Sequence, residues 1–123
     1  MILLLALTAV GCGDEPPSIR NLKYAPNAGV LMLMTAISGT VDYTDTKNDI
    51  SQSQYELIAP SGTIMGSSPA PIPNTGEGVV GNVSFSIMFT PTEEGVWHFN
   101  FWIIDLEGRP SNRLNGPIRV SAP

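Results

Sequence analysis

The residues able to do chemistry in this 123-residue chain are mostly carboxylates. Asp42, Asp45 and Asp49 fall within one short stretch, and Asp105 and Glu107 within another about 60 residues later in the chain. Carboxylate oxygens, with Asn48 and backbone carbonyls, are the ligands Ca²⁺ takes, in roughly six- to eightfold coordination. The stretch "DTKND" lacks the ligand spacing and the glycine of an EF-hand loop. Asp and Asn also cap turns by bonding their own backbone, and Lys47 and Arg109 stand close enough in sequence to neutralise these acids. Both uses of the five carboxylates stay open at this point.

The remaining candidates are single residues. Cys12 is the one cysteine, so it has no disulfide partner in the chain. His98 is the one histidine, and with no second His or Cys it cannot build a zinc site. It reads as an exposed structural residue. Trp102, two residues beyond Asn100, is expected to point outward, where an indole can stack on a sugar or anchor a partner. The competing reading is that something covers it. The chain carries no serine-elbow motif and no paired histidines, so no catalytic residue is assigned and the protein is expected not to be an enzyme. "TGEGVVG" has neither the glycine spacing nor the following helix of a phosphate loop.

These residues must be positioned by strands, because hydrophobicity alternates with period two from Ile19 onward. In "NVSFSIMFT", Val83, Phe85, Ile87 and Phe89 share one face. In "GVWHFNFWIID", Trp97, Phe99, Phe101 and Ile103 do the same, with His98, Asn100 and Trp102 opposite. "GVLMLMTAISGTVDY" places Leu31, Leu33, Ile37, Val41 and Tyr43 on one face, with Gly39 marking a bulge or a close approach. "SQYELIA" adds Tyr55 and Leu57, and "PIRVS" adds Ile118 and Val120. The alternation of "SIRNLKY" is broken, which predicts a bulge. "PAPIP", inside the long Thr63–Gly81 connection, is expected to run extended along a sheet edge. One apolar face per strand requires two sheets packed face to face.

Composition narrows the function classes. Apolar residues make up 42% of the chain and charged residues 14%, which suits a folded domain. The net charge is −5, with 6 Lys and Arg scattered along the sequence. Nucleic-acid binding needs a basic footprint to replace counterions, so no nucleic-acid partner is expected. No stretch after Cys12 is apolar for the roughly 20 residues that span a bilayer.

Two resemblances sharpen these expectations. "MILLLALTAVGCGDEPPS" resembles the signal peptide and lipobox of bacterial lipoproteins: an apolar core, small Gly11, then Cys12 and a polar stretch. It departs in having Ala9 where Leu is usual and no basic residue before the apolar core. The resemblance implies a cleaved leader over 1–11, lipid attachment at Cys12 and a tether over 12–18. The body, 19–123, would then be held at the bacterial cell envelope by a membrane anchor. "EEGVWHF" resembles the corner entering the penultimate strand of immunoglobulin folds, with Trp97 where Tyr is usual. "SGTVDYTDTKNDI" and "WIIDLEGRPSN" resemble Ig-like and fibronectin-like modules of bacterial surface proteins. They imply an all-β, immunoglobulin-like β-sandwich of two antiparallel sheets with about seven strands and no disulfide. In such a sandwich the two acidic loops lie at one end, where Asp42, Asp45, Asp49, Asp105 and Glu107 would converge. The function implied is a non-catalytic binding or structural module contacting protein or glycan. The alternative is a calcium-responsive domain whose acidic end orders with the ion.

Overall fold

The computed structural model describes residues 15–72 and 79–123. Cys12, the expected leader and residues 12–14 of the tether lie outside them, as does most of "TGEGVVG". Among the described residues the chain forms only strands and turns. The strands are β1 (Ser18–Ala25), β2 (Ala28–Val30), β3 (Thr35–Thr44), β4 (Ile50–Ile58), β5 (Ile64–Gly66), β6 (Ala70–Pro71), β7 (Val80–Phe89), β8 (Gly95–Asp105) and β9 (Leu114–Ser121).

One sheet has the order β1-β3-β7, and the other β2-β9-β8-β4-β5 with β6 also on β4. Set aside the three shortest strands and six remain: first, second and fourth in one sheet, third, fifth and sixth in the other. That division and order are those of the immunoglobulin sandwich. The fold expectation is therefore met, with two differences in detail. There are nine strands among the described residues rather than about seven, because β2, β5 and β6 add short edges. The sheets are also not purely antiparallel, since β2 runs parallel to β9.

The facing sides make the core. Ile37, Val41, Tyr43, Val83, Ile87 and Phe89 meet Leu57, Trp97, Phe99, Phe101, Ile103, Ile118 and Val120, all buried. Phe85 stacks on Phe101 with ring centroids 4.4 Å apart, and Tyr24 meets Phe99 edge-on at 5.0 Å. Gly39, opposite Phe85 in the β3–β7 ladder, leaves room for that ring; a Cβ there would overlap it and approach the Lys23 carbonyl to 2.6 Å. The corner expected at Trp97 is present: its indole N–H donates to the Glu93 carbonyl at 2.9 Å, satisfying the one polar atom of a buried ring.

Several local expectations gain a physical cause. The break in β1 is a register shift between Arg20 and Lys23, with Asn21 in the left-handed region at φ 57°. Ala70 and Pro71 of "PAPIP" do line an edge, pairing Ser53 and Gln52 of β4. The stretch beginning at Gly29 is not one strand. Met32 takes φ 66°, which ends extended structure, and β3 begins only at Thr35. Leu33, expected on the core face, is consequently exposed.

Candidate functional site

The two acidic stretches meet at one end of the sandwich. Ile50 at the start of β4 pairs with Asp105 at the end of β8, and the Leu106 N–H donates to the Asp49 carbonyl at 2.9 Å. The loops entering β4 and leaving β8 are thus stitched together by backbone. One carboxylate oxygen each from Asp49, Asp105 and Glu107 lies within 4.8 Å of the others. Asp45, buried at 1% exposure, belongs to the same group: its Oδ2 accepts the Asp49 N–H at 2.6 Å.

Asp42 does not join them. It lies within β3, opposite Arg20, rather than in the loop that follows. Its oxygens accept from Asn21 Nδ2 at 2.8 Å and Asn82 Nδ2 at 3.1 Å. Those two amides, then Arg20 and Lys23, hold its carboxyl below the ordinary value of 3.8. Of the five carboxylates expected to converge, Asp49, Asp105 and Glu107 come together and Asp45 adjoins them through the Asp49 N–H. Asp42 stands apart because β3 continues past it to Thr44, further than the acidic run suggests.

Within the cluster the four acids differ. Asp105 is a turn-former: its Oδ1 accepts the N–H groups of Glu107 and Arg109 at 2.9 and 2.8 Å. Its Oδ2 takes the Arg109 Nε–H at 2.9 Å. Glu107 lies between Arg109 Nη2 at 2.7 Å and Lys47 Nζ at 3.1 Å. So the expected neutralisation by Lys47 and Arg109 is real for Asp105 and Glu107. It is not matched at the other pair, where Asp45 Oδ1 and Asp49 Oδ1 are buried with no hydrogen-bond donor among the described residues. Burial first, then the adjoining Asp45 carboxyl and the charges of Asp105 and Glu107, raise the pKa of Asp49.

The second candidate surface is the outer face of the larger sheet. A polar chain crosses it: His98 Nδ1 shares a 3.0 Å bond with Asn115 Oδ1, and Asn115 Nδ2 donates to Asn100 Oδ1 at 3.0 Å. Asn100 Nδ2 donates to Glu56 Oε2 at 2.9 Å, which also takes Arg113 Nη1 at 3.0 Å. Trp102 points to this face as expected but is only 7% exposed. The Arg113 guanidinium lies over its ring, 3.9 Å from the centroid. The exposed stacking platform is therefore corrected: Trp102 is covered, and by a cation. Asn100 is half-buried and committed to Glu56 and Asn115. His98 is likewise half-buried, in a structural bond.

A third surface carries no signal in the sequence. Met32, Leu33 and Met34 are 65%, 59% and 70% exposed. They form the loop between β2 and β3, at the end of the sandwich opposite the acidic cluster. The loop is held rather than loose: Leu31 N–H donates to Ser121 O, Met32 N–H to Pro91 O, both 2.9 Å, and Leu33 N–H to Val30 O. Apolar type and alternation make these residues read as part of a buried strand. Met32's backbone conformation reverses that.

No known protein family matches the chain, and no curated protein matches it. Among solved structures it is similar to a superoxide reductase (neelaredoxin) from Ignicoccus hospitalis. That likeness has a TM-score of 0.53 and 7% identity, over 84% of this chain and 82% of that one. It is also similar to the PKD domain of an M14-like peptidase from Thermoplasmatales archaeon SCGC AB-540-F20, with TM-score 0.48 and 19% identity over 86% and 96% of the chains. The CARDB domain of a Pyrococcus furiosus protein gives TM-score 0.49 and 12% identity over 85% and 94%. At these identities the likeness extends to fold and not to site.

Proposed function

We propose that the protein is an exported, lipid-anchored module that works by contact rather than catalysis, and that its contact surface is the Met32–Met34 tip. The observation that carries this reading is a contiguous, exposed apolar loop locked by backbone bonds to Pro91 and Ser121. Exposed apolar side chains gathered at one place mark interaction sites more than scattered ones do. A loop fixed before binding also avoids the cost of ordering it on contact. Its chemistry suits an apolar groove on a protein. The polar sheet face, with Trp102 beneath Arg113, offers no open ring to a glycan.

The position of the tip fits an anchor at Cys12. β1 enters the sandwich at Ser18, opposite Thr44, at the acidic end. Lipid on Cys12 would hold that end toward the bilayer and present the tip away from it. Each buried methylene contributes about 0.8 kcal/mol, so two or more acyl chains hold such a module stably.

Mass spectrometry of the membrane-derived protein should give a mature chain starting at Cys12 with added acyl mass. An unmodified thiol inside a longer chain overturns the anchor. A photo-crosslinker at Leu33 should capture one defined protein in native envelopes, whereas the same group at Ser84 should not. The capture should disappear when Met32 and Met34 are replaced by serine. Equal capture from both positions overturns the tip as the contact surface.

A further inference from the structure

The turn between β3 and β4 ties the two sheets together at the acidic end. The Asp45 N–H donates to the Val79 carbonyl at 2.7 Å, beside β7 of the smaller sheet. The Asp49 carbonyl accepts the Leu106 N–H at 2.9 Å, just beyond β8 of the larger sheet. Between these two ties the turn closes on Asp45. Its carbonyl accepts the Asn48 N–H at 2.9 Å, and its Oδ2 accepts the Asp49 N–H at 2.6 Å. Asn48 stands in the left-handed region, at φ 54°. This closure brings the Asp45 and Asp49 carboxyls against each other, in hydrogen-bonding contact.

We propose that Asp45 and Asp49 hold one proton between their carboxyls, and that this shared proton is a pH-operated latch on the turn joining the two sheets. Two orphaned oxygens carry the proposal. Asp45 is 1% exposed, and both its Oδ1 and that of Asp49 are buried with no donor among the described residues. A carboxylate oxygen removed from water without a partner is costly. Two carboxylates have no hydrogen to give each other. A single proton makes one of them a donor and leaves the other an acceptor, so one O–H···O⁻ bond satisfies both sides. It also removes one of two adjoining negative charges.

The charged groups around the pair favour the protonated form. Asp105 and Glu107 face it from the loop leaving β8, with carboxylate oxygens within 4.8 Å of one on Asp49. Lys47, in the same turn, bonds Glu107 at 3.1 Å, and Arg109 bonds both Asp105 and Glu107. β3 enters the turn at Thr44, β4 leaves it at Ile50 and β7 meets it at Val79, all uncharged. Asp42, further back on β3, is bonded to Asn21 and Asn82 instead. Burial first, then contact with Asp45 and the charges of Asp45, Asp105 and Glu107, raise the Asp49 carboxyl above its ordinary 3.8. A proton held this way titrates with the pair, not with either residue alone.

The folded chain binds this proton more tightly than the unfolded one. The stabilisation is therefore complete below 3.8 and is lost as pH rises through the raised folded value. That is opposite in sign to the effect of Asp42, whose carboxyl is held down. Once the proton leaves, two adjoining anions occupy the turn, and its ties to Val79 and Leu106 loosen. Mild acid thus tightens the module at the end where β1 enters, opposite Thr44, and higher pH relaxes it. The latch stands apart from the Met32–Met34 tip and does not rest on it.

The test is NMR titration of the side-chain carboxyl carbons, on the full chain in detergent with EDTA, from acid to mildly alkaline pH. Thermal melts would be run at the same pH values. Asp45 and Asp49 should report one common step above 3.8. Asp49→Asn puts a permanent N–H donor beside Asp45. It should abolish that step, flatten the fall of Tm with rising pH, and raise Tm above the native value at the alkaline end. It should also slow hydrogen exchange at the Leu106 amide there. Asp45→Asn should act alike, and Asp42→Asn should leave this arm unchanged. If the Asn variants do not fold, the titration of the native chain still decides. Asp45 and Asp49 titrating independently, or both at or below 3.8, overturns the proposal. So does an Asp49→Asn chain that keeps the full native fall of Tm with rising pH.

Discussion

The Arg113 guanidinium lies 3.9 Å from the centre of the Trp102 ring and closes an indole that alternation directs toward solvent. The same guanidinium is fixed by Glu56 at 3.0 Å. Arg113→Ala should therefore uncover the ring. Trp102 emission should move to longer wavelength and become quenchable by iodide. The stability loss should be small, about 0.5–2 kcal/mol, the range for a cation over an aromatic face. A Trp97→Phe background isolates the signal of Trp102. Unchanged emission would mean that other groups cover the ring.

Asn112 joins the two sheets through one side chain. Its Oδ1 accepts the Ile19 N–H at 2.8 Å, and its Nδ2 donates to the Ile19 carbonyl at 2.9 Å. Ile19 is buried in β1, and Asn112 precedes β9 of the other sheet. Asn112→Ala should cost about 1–3 kcal/mol, because it strips the partners from two backbone groups. Urea denaturation measures the loss, and faster hydrogen exchange at Ile19 locates it. Asn112→Asp, which keeps the acceptor and removes the donor, should fall between.

Gly39→Ala tests the contact with Phe85. The added methyl would meet both the ring and the backbone carbonyl of Lys23, and the carbonyl cannot rotate away. A loss of about 1–3 kcal/mol is expected, as for other overpacked core sites. Gly66→Ala, where a Cβ would meet nothing within 4 Å, is the control and should be near neutral.

Asp42 gives the fold a dependence on acid. Its carboxyl is held below 3.8 by the amides of Asn21 and Asn82 and by Arg20 and Lys23. The unfolded chain then binds this proton more readily than the folded one. The stabilisation is complete above 3.8 and is lost as pH falls through the lower folded value. Asn21→Gly removes the largest cause while keeping the left-handed backbone at that position. In that variant the Asp42 carboxyl should titrate nearer 3.8 by NMR, and less stability should be lost in acid.

Much of the frame is legible because one force wrote it. Burial of one face per strand gives period two, so Val83, Ile87 and Phe89, and Trp97, Phe99, Phe101 and Ile103, announce both their strands and the side facing the core. Trp97 is legible as a corner because glycine, aromatic and acid stand at fixed offsets there. Trp102 is half legible: alternation gives a direction, whereas what covers a side chain depends on Arg113, from the turn before a neighbouring strand. The Met32–Met34 tip is illegible because a single backbone angle at Met32 turns apolar residues outward. Of the acidic end, the convergence of the loops is legible from the fold. Which acids are neutralised is decided by hydrogen bonds among Asp105, Glu107, Lys47 and Arg109. Asn112 stands in the sequence only as part of a loop pattern; its grip on Ile19 spans 93 residues.

The direction in which β1 enters bears on mechanics. Ser18 is at the acidic end, and the Met32–Met34 loop is at the other. Tension between a held N-terminus and a captured tip would run along the strands rather than across them. β1 would be drawn lengthwise past β3, loading the bonds of that ladder and the Asn112 clamp together instead of unzipping them one at a time. A module pulled this way resists in shear. The fold would then be a strong link in any line of force between a surface and whatever the tip grips.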